Sequence, residues 1–214
     1  MLRAALFNED GSDRDPTVSF GPFKSFDRNG LNVAIEFTAK LPRAVRTWAF
    51  DLTKEDMEEK YEAAGYGWDD EDKLKELSED GARFLVVRAA PAEGTAAPGA
   101  LVGYVHFRFT VQGDVVDKMV GDTVLMVHDI HLAEPARRKG LGRHLLQLLE
   151  LVARRARMSR LSMQCLLGDD DARGFVTSLK RPFASDTALA EVCVWIVHGR
   201  WCRSHTRSDP HTTP

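Results

Sequence analysis

The segment Arg137-Arg-Lys-Gly-Leu-Gly142 decides how this chain is to be read. It follows Val124-Leu-Met-Val-His-Asp-Ile-His-Leu132, the strongest strand signal in the sequence. It precedes a helical pattern from Leu141 to about Arg157, in which Leu145, Leu148, Leu149 and Val152 share one face. Two glycines at such a junction let backbone amides come close to a ligand. The helix start adds unpaired N–H donors and a partial positive charge, and Arg137, Arg138, Lys139 and Arg143 place full charges around the same point. The junction therefore reads as a phosphate site, with a pyrophosphate as the expected ligand. Other phosphate motifs do not fit. A dinucleotide fingerprint needs glycine where Leu145 stands, and no Gly-Lys-Ser/Thr ending of a P-loop is present.

Working outward, Leu31-Asn-Val-Ala-Ile-Glu-Phe37, Arg83-Phe-Leu-Val-Val-Arg88, Leu101 to Phe109, Arg160 to Leu166 and Val192 to Val197 read as further strands. Trp48 to Thr53 leads into a helix with Thr53 as its N-cap and Asp56 three positions on, running through Met57 and Tyr61 to a break at Gly65-Tyr-Gly-Trp68. A second, acidic helix follows from about Asp69 to Leu77. Gly113-Asp114 suggests a turn opening a projecting loop up to Asp122. Strands dominate the middle with helices inserted, so the expected class is α+β in a single domain. Residues 1–20 read as a flexible arm, 21–198 as the domain and 199–214 as a disordered tail.

Composition bounds the function. The 214 residues hold 43% hydrophobic and 29% charged side chains, and no apolar run approaches the ~20 residues of a membrane span. Cys165, Cys193 and Cys202 lack metal-ligand spacing, so a reducing compartment, cytoplasm or nucleus, is expected, with no metal. The net charge of −3 hides an asymmetry. Between Lys54 and Asp80 there are 12 acidic and 4 basic residues; between Arg137 and Arg160 there are 8 basic residues and one acid, Glu150. Two solvated faces would explain this, as would one surface for an anionic ligand and another for a cationic partner. The basic run lacks aromatic residues, which argues against direct nucleic-acid binding.

Arg-x-x-Gly-x-Gly after a strand and before a helix resembles the acetyl-CoA pyrophosphate loop of the GNAT superfamily of N-acetyltransferases. Phe26-Asp-Arg-Asn-Gly-Leu-Asn-Val33, Trp48-Ala-Phe-Asp-Leu-Thr-Lys54, Gly67-Trp68 and His106-Phe-Arg-Phe109 narrow the resemblance to the family of N-alpha-acetyltransferase D. The resemblance covers roughly residues 23 to 165. It implies the GNAT fold, a mixed and largely antiparallel central sheet flanked by helices. It further implies transfer of acetyl from acetyl-CoA to the N-terminal serine of histone H4 and histone two-A, by a monomer acting in cytoplasm and nucleus on a basic tail, without a membrane.

The same resemblance assigns roles. Residues Arg138, Lys139, Gly140, Leu141, Gly142 and Arg143, with Arg137 beside them, hold the pyrophosphate. The backbone of Ile130, His131 and Leu132 pairs with pantetheine, His131 lying exposed on the opposite face. Asp169 falls where the family has a cofactor-binding asparagine. A tyrosine–glutamate pair of the family appears here as His128 and Asp129, leaving Asp129 as a water-linked general base and His128 as a second titratable group. An acidic position of the family is Thr110 here. Tyr61, Tyr66, Trp68, His128, Gln164 and Trp195 fall at peptide-contacting positions. Two alternatives remain: another amine as acceptor, or a protein that binds acetyl-CoA with little catalysis, which Thr110, Asp129 and Asp169 would favour.

Overall fold

The computed structural model describes residues 2–91, 97–112, 122–166, 169–179, 183–186 and 191–196. Its strands are β1 (Ser25–Arg28), β2 (Leu31–Thr38), β3 (Arg83–Ala89), β4 (Leu101–Gln112), β5 (Asp122–Leu132), β6 (Arg160–Leu166), β7 (Phe183–Asp186) and β8 (Glu191–Ile196). They form one sheet in the order β1-β2-β3-β4-β5-β6-β8-β7. Neighbours are antiparallel except β5 and β6, which run parallel. A parallel pair needs a crossover, and α4 (Leu141–Arg155) makes it. The sheet is mixed and flanked by helices on both faces, the α+β architecture expected.

Alternation within β3 shows how the layers are built. Phe84 and Val86 pack with Tyr104 against Val45, Ala49 and Leu52 of α2 (Arg43–Ala63) and against Leu77, which closes α3 (Asp70–Glu76). Leu85 and Val87 face the other way, with Val105, Phe107, Leu125 and Val127, onto Leu141, Leu145, Leu148, Leu149 and Val152 of α4. Each such buried aliphatic side chain contributes about 1.5–3 kcal/mol of transfer free energy.

Several sequence expectations are corrected. The helix expected to begin at Thr53 begins at Arg43, after Pro42, which offers no side-chain cap. Thr53 is buried in mid-helix, its hydroxyl donating to the Ala49 carbonyl (2.8 Å) and bonded to the Tyr104 hydroxyl. The supposedly loose arm holds α1 (Leu2–Leu6), a bridge between Phe7 and Asp13, and a fully buried Thr17. Asp13 accepts from buried Arg83 at 2.9 Å, and Phe7 lies under the same guanidinium. Asp13→Ala would leave Arg83 with backbone carbonyls alone, and stability is expected to fall by about 1–3 kcal/mol, read by urea unfolding. β1, β7 and α5 (Asp170–Ser178) were not anticipated. The turn at Gly113-Asp114 and the tail 199–214 lie outside the described residues.

Two irregularities around β5 shape the site. Its register with β4 jumps from Asp129 opposite His106 to Val127 opposite Phe107, so His128 is an extra residue, a β-bulge. Val127, Ile130 and Leu132 therefore point to the α4 face, while His128 and Asp129 both serve the α2–α3 face. The parallel ladder with β6 ends at Val127 and Met163, although both strands continue. Beyond the bulge the two strands part, and a cleft opens between their ends.

Candidate active site

One end of the cleft is the glycine junction between β5 and α4. Gly140 takes φ 91° at the N-cap of α4, a left-handed conformation suited to glycine, and no side chain caps the helix. The Asn29 side chain holds the loop by donating to the Lys139 carbonyl at 2.7 Å. Gly142 lies against Phe175 of α5, where an added Cβ would come within 3.2 Å of the ring. Leu141 is wholly buried and works as core. Of the four cations, two are committed to the protein. Arg137 donates to the Leu132 carbonyl (2.7 Å) and to Asp56 (2.6 Å), and Arg143 donates to the Ser178 carbonyl (2.8 Å). Arg138 and Lys139 have no acidic partner among the described residues, so they remain for an anion.

Along the cleft, the Ala133 N–H donates to Val102 of β4. Strand groups alternate direction, so the backbone groups of Ile130 and Leu132 face the opened side, while their side chains pack on the core. His131 corrects its expectation: it is buried, with Nδ1 at 2.8 Å from Asp56 and Nε2 at 3.8 Å from Asp129. Burial alone would lower its pKa, yet the two carboxylates raise it above the ordinary histidine value. Asp169 caps α5 by accepting from the Ala172 N–H and takes both its oxygens to Lys60 of α2 at 3.0 Å. Its charge is thereby neutralised within the protein.

A dense polar cluster lies under the bulge. Asp129 is buried, and Lys73 of α3 donates to both its oxygens at 2.8 and 3.0 Å. His106 Nδ1 lies 3.2 Å from the same carboxylate. Burial would push the Asp129 carboxyl up, but the Lys73 ammonium and the bonds from His106 and His131 hold it well below the usual carboxylate range. Lys73, which also meets Glu76 at 3.0 Å, is correspondingly raised against its own desolvation. Burial sets the opposite balance for His106 and keeps it below the ordinary value. So depressed a carboxylate, with both oxygens held by Lys73, is a weak proton acceptor, which argues against the general-base role expected of Asp129.

His128 is placed differently. Its ring stacks on His106 with centroids 4.8 Å apart, and its Nδ1 lies 3.3 Å from Glu76 Oε1. With Nδ1 donating to Glu76, Nε2 is the ring nitrogen left to accept a proton. Glu76, Asp129 and His106 could also be read as three ligands for a cation, since their ligand atoms lie within 4.8 Å of one another. The Lys73 ammonium, however, already sits on both carboxylates and fills the cation's place.

Glu76 and Lys73 also line a cleft of about 350 Å³ whose other walls are Tyr61, Tyr66, Gly67, Trp68, Asp69 and Asp72. Tyr61 meets Tyr66 edge-on at 6.4 Å and Trp68 at 5.7 Å. The Trp68 indole donates to Asp70 at 2.6 Å, which fixes its orientation. The structure thus gathers three of the six expected peptide-contacting residues in one acidic, aromatic cleft, with His128 behind Glu76. Gln164 and Trp195 lie on β6 and β8, opposite Cys193 and Ser162, and their side chains fall outside the described residues. Sequence reasoning missed the site roles of Lys73, Glu76, His106 and Asp56; the first two were visible only as letters in an acidic run, and Asp56 only as part of a capping pattern.

Known proteins carry the same arrangement of elements. The GNAT domain of S. lividans PAT superposes with a TM-score of 0.56 at 14% identity, over 83% of this chain and 98% of that one. A GNAT-family acetyltransferase from Listeria monocytogenes gives 0.51 at 12% identity, over 80% and 98%. A protein from Pyrococcus horikoshii gives 0.53 at 15% identity, over 78% and 99%. At these identities the likeness is one of fold. The sequence pattern of the Acetyltransferase (GNAT) family, in contrast, matches residues 45–179, from α2 through the glycine junction to the end of α5. The chain belongs to the GNAT acetyltransferase family.

Proposed function

We propose that this acetyl-CoA-dependent acyltransferase acts on the α-amine of an N-terminal serine in a basic protein tail of the kind carried by histone H4 and histone two-A. The observation that carries the reading is the acidic, aromatic cleft that leads from Tyr61, Tyr66 and Trp68 past Asp69 and Asp72 to Glu76. Aromatic faces and carboxylates both attract a peptide ammonium, and salt should weaken that attraction. The resemblance to N-alpha-acetyltransferase D supports the choice of acceptor, and the cytoplasm and nucleus are the setting it implies.

Acetyl-CoA supplies the activated acyl group. Arg138, Lys139 and the free N–H groups at the start of α4 would hold its phosphates, and the edge of β5 its pantetheine. His128 takes the proton from the acceptor ammonium at Nε2, and Glu76 fixes the tautomer by accepting from Nδ1. An α-amine has a pKa of about 8 against about 10.4 for lysine, so an N-terminal acceptor asks less of a base than a lysine side chain would. The bulged peptide at His128 belongs to neither ladder, which suits an N–H aimed at a developing oxyanion. Asp129, locked to Lys73, orders the bulge and carries no proton.

Two outcomes follow. Arg138→Ala with Lys139→Ala is expected to raise KM for acetyl-CoA by about tenfold or more at low salt, with kcat little changed. Offered a serine-headed basic peptide and a free polyamine together, the enzyme should acetylate the peptide. Preference for the polyamine, read by mass spectrometry, would replace this acceptor with a small amine.

A further inference from the structure

The basic run that the sequence presents as one feature is two. Arg137, Arg138, Lys139 and Arg143 stand at the start of α4, while Arg154, Arg155, Arg157 and Arg160 stand at or beyond its end. A helix of 15 residues is about 22 Å long, so the second group is out of reach of phosphates bound at the first. Arg154 is paired with Glu150 and Arg160 with Asp122. Arg155 and Arg157 are exposed and have no carboxylate within ion-pair distance among the described residues.

These two arginines line a cavity of about 290 Å³ between the end of α4 and the N-terminal segment. Arg14 faces them from that segment, its guanidinium donating to the Ala4 carbonyl at 2.9 Å. The one acid in the wall, Asp15, is taken by Lys24 at 3.3 Å and by Thr17. Pro16, Val18, Val152 and Ala156 give the remaining surface an apolar character, and Val18 stands 74% exposed at the rim. The walls are preformed, because Asp13, Phe7 and Thr17 anchor the N-terminal segment to the body of the protein. Cations do favour a helix C-terminus through its dipole. That preference accounts for neither the cavity nor Arg157, which follows the helix at φ 57°.

We propose that this cavity is a docking site for an acidic segment of a partner protein, with a carboxylate seated among the three guanidiniums and an apolar neighbour against Val18 and Val152. At about 30 Å³ per water, the space holds roughly ten waters, which suits one or two side chains. Guanidiniums offer paired donors to a carboxylate. A nucleic acid would call for a longer cationic track with aromatic faces for its bases, and no aromatic side chain lines the cavity. The site lies apart from the acetyl-transfer cleft and does not depend on which amine is acetylated.

The test uses the full chain and a fluorescein-labelled peptide of alternating Glu, Leu and Asp, followed by anisotropy at low ionic strength. The wild type is expected to bind, and Arg155→Ala with Arg157→Ala to weaken binding by about tenfold or more. Arg155→Lys with Arg157→Lys should retain part of the binding, and Val18→Asp should weaken it from the rim. Equal melting temperatures and equal acetyl transfer would show that the variants are folded. Absence of binding by the wild type, or equal binding by the double alanine variant, would overturn the proposal. So would tighter binding of a single-stranded oligonucleotide or of phosphatidylserine vesicles through the same arginines.

Discussion

His128→Gln is expected to lower kcat for acetyl transfer by about 100- to 10,000-fold, with binding of acetyl-CoA unchanged. Glutamine keeps the volume and a polar tip but cannot take up a proton at neutral pH. The contact between His128 Nδ1 and Glu76 is what gives this residue its task. Glu76→Gln, which leaves His128 in place but removes its charged partner, should cost less. Asp129→Asn is the contrasting variant. A larger fall in kcat for Asp129→Asn than for His128→Gln, in variants of equal stability, would return the base to Asp129.

Lys73→Met is expected to destabilise the fold by about 3–5 kcal/mol at neutral pH, because it strands a buried carboxylate. Lys73 and Asp129 are 11% and 8% exposed, so neither partner can turn to water without moving α3 off the sheet. Combining it with Asp129→Asn should recover part of the loss, since no buried Asp129 charge is then stranded, while Glu76 loses Lys73 and keeps His128 as its partner. The pH dependence has a definite sign. Asp129, Glu76 and Asp56 are held below the ordinary carboxylate range, each against its own burial. Their contribution is complete above a pH of about 4 and is lost as pH falls through their lower folded values. His131, held above its ordinary value, contributes below a pH of about 6.5 and ceases to as pH rises through its folded value. Urea unfolding of wild type and variants across this range checks both limbs. A loss under about 1 kcal/mol for Lys73→Met would mean that the pair adds nothing to the fold.

The sheet and its phosphate end could be read from letters because their signals are local. Arg83 to Arg88 is an apolar run bounded by turns, and the glycine junction combines a strand, two glycines and a helix within about twenty residues. The catalytic face could not be read in this way. In Val124 to Leu132 strict alternation puts His128 and Asp129 on opposite faces, and one extra residue in the ladder puts both on the same face. The same bulge turns His131 inward to Asp56. Lys73 and Glu76 arrive from a helix more than fifty residues upstream, where they read as solvated charges; only the packing of α3 over the bulge makes them partners of Asp129 and His128. The start of α2 was missed for a simpler reason: Pro42 supplies no capping side chain, whereas Thr53, eleven residues on, imitates one. The basic run misled in the opposite direction, since counting its charges together hides that the helix read from Leu141 onward separates its two halves.

The central claim is that the acidic, aromatic cleft delivers an N-terminal α-amine to His128. It is tested most directly by incubating the full chain with acetyl-CoA and a Ser-Gly-Arg-Gly-Lys peptide and mapping the product by tandem mass spectrometry. The account predicts one acetyl group on the serine α-amine, no transfer to the same peptide blocked at its N-terminus, and a rate that falls as salt is raised. Acetylation of the lysine side chain, or equal transfer to the blocked peptide, would contradict it.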